Sequence, residues 1–402
     1  MTRTLLTTTA IVAFAGAAAA DGHIGTAWGA DGEFGYNEEV EGGFYFDGGL
    51  AVDAMAEMDM GIQAGISLDV DLGFSPNEPG VNGGAFNDIS INGSDFVIFV
   101  ESDNAGLYIG DTKTASQIIW SGTTNMERDG FLEVGDVDDG ADDGDFVDGV
   151  MRGDVTYGNV EASVSYFFGD SPADDDDLDG LTGMQIGATT TLGNFTVGAV
   201  YQEAVSGGLV NATDDDNNPD GIIGNEADFG ADGNGSVDEL YGIFMSTSYA
   251  GADIAFAYAS NQTTDESSTG IEVSYPFGPV TAGVFYSAES GDIDDNYGIY
   301  ATYEANAISV TGYIHEGNDE EIGLEGSYDA GNGLMIYAGY IQNDGNSDAY
   351  EAYVATTYDL GSNSELIVAY GDSGDEYTGD ADEIGNGFEV NEGTTVAISF
   401  EF

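Results

Sequence analysis

Lys and Arg number only four among 402 residues, against 75 Asp and Glu, so the placement of each positive charge is informative. Three of the four, Lys113, Arg128 and Arg152, fall within the stretch Gly106 to Tyr157, together with Glu127, Glu133, Asp136, Asp138, Asp139 and Asp154. With no nucleophile–base arrangement beside them, such charges do no covalent chemistry. Gathered against a low-dielectric wall they set up a local field and sort ions by sign. The competing reading is that the cations are scattered surface charges or local ion pairs, each contributing ~0–1 kcal/mol when exposed.

A second set of acids has the spacing of an oxygen-ligand loop. Asp175-x-Asp177-x-Asp179-Gly180 and Asp216-x-Asn218-x-Asp220-Gly221 put oxygen donors at positions 1, 3 and 5 and glycine at 6, as calcium loops do at their sharp turn. Neither has the bidentate glutamate at position 12, where Ile186 and Ala227 stand. Solvated acidic loops are therefore expected, with calcium at these two segments as the alternative and no other cofactor. Zero cysteines exclude a thiolate metal site and a disulfide framework. The histidines, His23 and His315, have no evident partner and read as solvated, and no catalytic constellation stands out, so an enzyme is not expected.

A formal net charge of −71 disfavours nucleic acid and anionic lipid surfaces as partners and suits a surface bathed in high salt. Disorder does not fit a chain that is 42% hydrophobic and 11% aromatic. Arg3, the apolar run Leu5 to Gly16 and the small residues Ala18-Ala19-Ala20 predict a secretory signal over 1–20, leaving 21–402 as one exported domain. No run of 18 apolar residues follows, so any membrane crossing must use strands.

Strands are what the periodicity predicts. From Ile62 to Leu72, Ile62, Ala64, Ile66, Leu68, Val70 and Leu72 alternate without error against Gln63, Gly65, Ser67, Asp69 and Asp71. The same two-residue period returns around Val160–Phe168, Met184–Leu192, Ile322–Tyr328 and Tyr350–Tyr358. Tight connections, such as Tyr157-Gly158-Asn159 and Leu192-Gly193-Asn194, alternate with generally longer acidic ones at 73–94, 112–147, 169–181, 205–239, 260–269, 289–296 and 371–393. A soluble sandwich would share the alternation of faces but not that of loop lengths. The expected fold is therefore all-β: a transmembrane, antiparallel, up-and-down barrel of about 16–20 strands, 20 by direct count, with aromatic side chains at the strand ends. Polar positions such as Asp69, Glu161, Gln185, Glu272, Glu321 and Glu351 would make a wet interior.

The last strand, Thr394 to Phe402, sets Val396, Ile398, Phe400 and Phe402 on one face and stops at an aromatic. In this, and in the pair Asp95–Val100 and Ala105–Asp111, the chain resembles the general porins of Gram-negative bacteria, of the alphaproteobacterial type. The resemblance covers the whole chain in architecture and departs from it in two respects: the common barrel of the family has 16 strands, and its wall usually carries an arginine cluster. It implies an outer-membrane channel for passive diffusion of small hydrophilic solutes and ions, lipid around it, a homotrimer, and Phe400 and Phe402 as the signal read by the barrel-assembly machinery. It also implies that 112–147 folds inward, which would bring Lys113, Arg128 and the acids beside them to a constriction. Met151, Val155 and Tyr157 form one apolar face of their strand, so Arg152 and Asp154 should point into the lumen there. With acids in excess, cation preference is expected. The rival reading is a non-conducting structural or adhesive barrel whose acidic loops bind calcium.

Overall fold

A computed structural model describes residues 24–39, 43–58, 61–74, 90–131, 147–169, 181–205, 238–291, 293–318, 320–343, 349–374 and 384–402. The strands are β1 (Ile24–Asn37), β2 (Phe44–Met58), β3 (Ile62–Phe74), β4 (Ser90–Ser102), β5 (Ala105–Gly110), β6 (Val147–Tyr157), β7 (Val160–Gly169), β8 (Leu181–Leu192), β9 (Phe195–Gln202) and β10 (Leu240–Tyr249). They continue as β11 (Ala252–Asn261), β12 (Glu266–Phe277), β13 (Val280–Glu289), β14 (Asn296–Ala305), β15 (Ile308–Glu316), β16 (Glu321–Gly331), β17 (Leu334–Asn343), β18 (Tyr350–Asp359), β19 (Ser364–Ser373) and β20 (Gly393–Glu401). One short helix, α1 (Ala115–Ile119), lies between β5 and β6.

Each strand pairs antiparallel with the next, and β20 returns to β1 with Asp31 opposite Glu401 and Tyr36 opposite Val396. At the seam Phe402 N donates to Ala30 O (2.7 Å) and Ala30 N to Phe402 O (3.1 Å). Among the described residues the single sheet thus closes on itself with 20 strands and leaves no edge for another chain to extend. The barrel expected from periodicity and loop lengths is present, at the upper end of the expected strand range. The tight turns are short because paired residues adopt the positive φ that two-residue hairpins need, as at Asn332 (φ 57°) and Gly333 (φ 79°).

Burial is inverted relative to a water-soluble protein. On β18, Glu351, Tyr353, Ala355 and Thr357 are buried toward the lumen, while Val354 and Tyr358 face out and are exposed. Around the outside the same parity leaves Ile243, Ile271, Val284, Ile299, Leu324, Val368 and Ile398 exposed, whereas Gln185, Gln202, Ser268, Ser287 and Asn296 are fully buried inside. At ~25 cal/mol per Å² of apolar surface, so continuous an exposed belt is stable only against hydrocarbon. Phe195, Tyr249, Tyr275, Phe277, Tyr340 and Tyr370 stand exposed near strand ends, where an interfacial girdle would lie.

Candidate functional site

The connection after β5 leaves the wall at Gly110. Its φ of +126° and the 1.9 Å that would separate an added Cβ from Phe96 O restrict this position to glycine. Asp111 fixes the departure by accepting the Phe96 N–H on Oδ2 (2.7 Å) and donating its own N–H to Phe96 O (2.8 Å). From there the chain runs inward. The single turn of α1 is too short to be stable alone and is held by its contacts: Ala115 N donates to Ser165 Oγ (2.9 Å), Ser116 Oγ bonds Gln185 Oε1, and Ala115, Ser116 and Ile119 are buried.

Beyond α1 the loop lies along lumen-facing positions that have no side chain. A Cβ on Gly187 would come within 2.7 Å of Ile119, one on Gly242 within 2.3 Å of the Trp120 ring, and one on Gly270 within 1.7 Å of Thr123 Oγ1. Trp120 meets Phe244 edge-on at 5.8 Å and packs on Phe131 at 5.2 Å, in a cluster with Met126, Val200 and Leu240. The far wall takes over with polar contacts: Thr124 Oγ1 to Glu272 Oε2 (2.8 Å), Ser287 Oγ to Thr124 O (2.8 Å), Arg128 N to Ser268 Oγ (2.9 Å) and Asn296 Nδ2 to Asn125 O (3.2 Å). Residues 111–131 therefore cross the inside of the barrel from β5 and rest on the wall from β7 to β14.

Arg152 and Asp154 both lie on the lumen face of β6. Arg152 is buried; its Nε donates to Asp154 Oδ2 (3.1 Å), its Nη1 to Thr112 Oγ1 (2.7 Å) and to the Lys113 carbonyl, and its guanidinium stacks 4.6 Å over the Tyr108 ring. This arginine thus ties the root of the loop to the wall. Arg128 pairs with Glu266 at 3.2 Å, Glu127 accepts from Asn296 Nδ2, and Lys113 is exposed. Both described arginines thus sit in ion pairs, on different sides of the barrel. Glu133, Asp136, Asp138 and Asp139 lie outside the described residues, as do Asp175, Asp177, Asp179, Asp216, Asn218, Asp220 and the segment 1–20. Among the described residues no group of three or more His, Cys, Asp or Glu is arranged to hold a metal ion.

His315 is not solvated, as its place beside a loop had led us to expect. Strand parity turns it inward, where it is buried between Phe285 (5.1 Å) and Tyr313 (4.7 Å). The sequence reading also missed the receiving surface of the loop, namely Gly187, Gly242, Gly270, Ser268, Ser287 and Asn296. Their available signal was small or polar residues at lumen parity on consecutive strands. On the wall of β1 to β3, Asp69 has the lumen position that periodicity predicts, and Asp31 and Asp47, which the sequence reading did not single out, join it. Asp31, Asp47 and Asp69 share the lumen parity of Glu33, which bonds Tyr45, and all three are exposed to the interior, while Phe34, Leu50 and Leu68 point outward.

Asp129 gives the loop a pH dependence. Burial pushes its carboxyl up to about 6, against the hydrogen bond it accepts from Trp120 Nε1 at 3.1 Å. Because the folded value lies above the unfolded one of 3.8, protonation favours the seated loop. That contribution is complete below about pH 3.8 and is lost as the pH rises through about 6. In a Trp28→Phe background, Trp120 fluorescence should titrate with a midpoint near pH 6, and Asp129→Asn should abolish the transition; a midpoint below pH 4.5 would count against the burial of this carboxyl.

No protein family's sequence profile matches the chain, and no curated protein does. Among solved structures it is similar to engineered forms of a porin from Rhodopseudomonas blastica. One is 13% identical with a TM-score of 0.39, and another 14% identical with a TM-score of 0.37; each similarity covers 94% of this chain and 100% of the other. Likeness this loose transfers neither function nor site residues to this chain.

Proposed function

We propose that this chain is an outer-membrane channel through which small hydrophilic solutes and ions diffuse passively, with cations preferred. The observation that carries the reading is the inverted burial, with amides, hydroxyls and carboxylates facing a closed barrel's interior and aliphatic and aromatic side chains facing out. Residues 111–131 narrow the interior on one side, so Lys113, Glu127, Arg128, Arg152 and Asp154 belong to the constriction in this reading. Glu133, Asp136, Asp138 and Asp139 continue the same connection and would add negative potential. Planar-bilayer recording tests the proposal. Stable conductance steps and a cation-selective reversal potential in a dilute KCl gradient are expected, whereas a folded, inserted protein without steps would favour the structural or adhesive barrel. Cross-linking in mild detergent tests the homotrimer that the resemblance implies.

The rings of Phe400 and Phe402 meet at a tilt of 46° with centroids 5.5 Å apart, and Phe402 is exposed. Deleting Phe402 would remove both its ring and its backbone bonds to Ala30, so Phe402→Ala is the cleaner test. If the assembly machinery reads the aromatic, Phe402→Ala should lower the heat-modifiable, outer-membrane form while export across the inner membrane stays normal. Unchanged levels would leave the ring as one more lipid-facing side chain, worth no more than ~1.5–3 kcal/mol.

A further inference from the structure

We infer that residues 384–392, between β19 and β20, form a second inward-folded element that sets the width of the channel together with residues 111–131. The inference rests on the channel reading and adds a wall to it. Ile384 and Val390 exchange both backbone hydrogen bonds at 3.0 Å, closing the segment on itself, and both side chains are buried against Tyr353, Ala355 and Ala369. Tyr353, Ala355 and Ala369 face the lumen, so the segment is inside the barrel.

How deep it reaches follows from Phe388. Its ring stacks on Tyr337 with centroids 4.2 Å apart and planes 16° apart. Tyr337 has the lumen parity of the buried Ile341 and lies three residues from the tight-turn end of β17, although the segment enters from the opposite, long-loop end. Phe388 has therefore descended past the middle of that strand.

The seat is polar and specific. The buried Glu325 carboxylate accepts the backbone N–H groups of Asn386 and Gly387, both at 2.9 Å, and the Tyr353 hydroxyl at 2.9 Å. Glu351 accepts the Gly385 N–H at 2.8 Å, and Asn386 Nδ2 donates to Tyr313 Oη at 3.0 Å. Gly385 has φ +100° and a Cβ there would meet the Tyr353 ring at 2.5 Å, so the tip fits only with glycine at its root. Two buried wall carboxylates bonded to consecutive loop N–H groups hold the backbone itself, independent of the loop's side chains. The tip leaves Asn386, Gly387 and Glu389 exposed to the interior.

The anchors of residues 111–131 fall on β6 to β14 and those of residues 384–390 on β15 to β19. Together they place the open path off centre, against β1 to β4. A chain without cysteine allows a clean test by single substitution. Gly387→Cys, whose added Cβ meets nothing closer than 3.4 Å, should lose roughly half its single-channel conductance after reaction with a bulky thiosulfonate reagent. Ser362→Cys on the β18–β19 turn should react without such a loss. Phe388→Ala, which removes the ring lying over Tyr337 and leaves the backbone anchors in place, should raise conductance. Confirmed labelling of Gly387→Cys with unchanged steps would overturn this inference alone. Absence of steps from the folded wild-type protein would remove the channel reading, and this inference with it.

Discussion

Replacing Asp31, Asp47 and Asp69 together by asparagine is expected to remove most of the cation preference at low salt. These carboxylates are exposed at lumen-facing positions of β1, β2 and β3. The two described arginines are engaged elsewhere, Arg128 with Glu266 and Arg152 with Asp154. A carboxylate about 10 Å from a passing ion contributes about 0.4 kcal/mol in bulk water and about 1.7 kcal/mol at an effective dielectric constant of 20. Even at the bulk-water figure, three of them acting in concert shift the cation-to-anion permeability ratio by on the order of tenfold. Screening sets the control: the Debye length falls from about 10 Å at 0.1 M salt to about 3 Å at 1 M, so wild type and variant should converge as salt rises. Reversal potentials in KCl gradients at both ionic strengths measure this. An unchanged potential at low salt would place the ion path away from β1 to β3.

The wall was legible in the sequence because its signal is local. In a barrel every residue's side is fixed by parity, and contact with lipid on one face and water on the other writes that parity into single strands such as Ile62–Leu72. The turns were legible for a related reason, since Gly158, Gly193 and Asn332 supply the positive φ that tight hairpins require. What fills the barrel was not legible, because it depends on pairs far apart in sequence. Gly242 reads as a weak spot in β10 until Trp120 is placed against it. His315 read as solvated because no partner was evident and the connection near 316–320 follows it, whereas the ring sits between Phe285 and Tyr313. The segment 371–393 read as one more acidic connection. Its inward course was hinted at only by Ile384, Phe388 and Val390, apolar side chains at a spacing that an external loop has no use for.

Arg152→Ala is expected to loosen the root of the first inward loop and to lower stability by about 2–3 kcal/mol. Removing one member of a buried ion pair ordinarily costs about 3–5 kcal/mol, because the partner stays desolvated and uncompensated. The lower figure applies here because the Asp154 side chain is 28% exposed and still accepts Ser163 Oγ at 2.6 Å. Three further interactions vanish with the guanidinium: the bonds to Thr112 Oγ1 and the Lys113 carbonyl, and the stacking over Tyr108. Limited proteolysis should therefore cut within 111–131 faster in the variant, and open-channel noise should rise. Arg152→Lys keeps the charge but has no planar fork to serve Asp154 and the loop at once, so it should fall between wild type and alanine. Adding Asp154→Asn to Arg152→Ala separates the two contributions. If the uncompensated carboxylate dominates, the double variant recovers stability and loses the extra cation preference that Arg152→Ala alone confers, while the loop stays cleavable because its tether to Lys113 is still absent. Equal stability of the single and double variants would instead assign the whole loss to that tether.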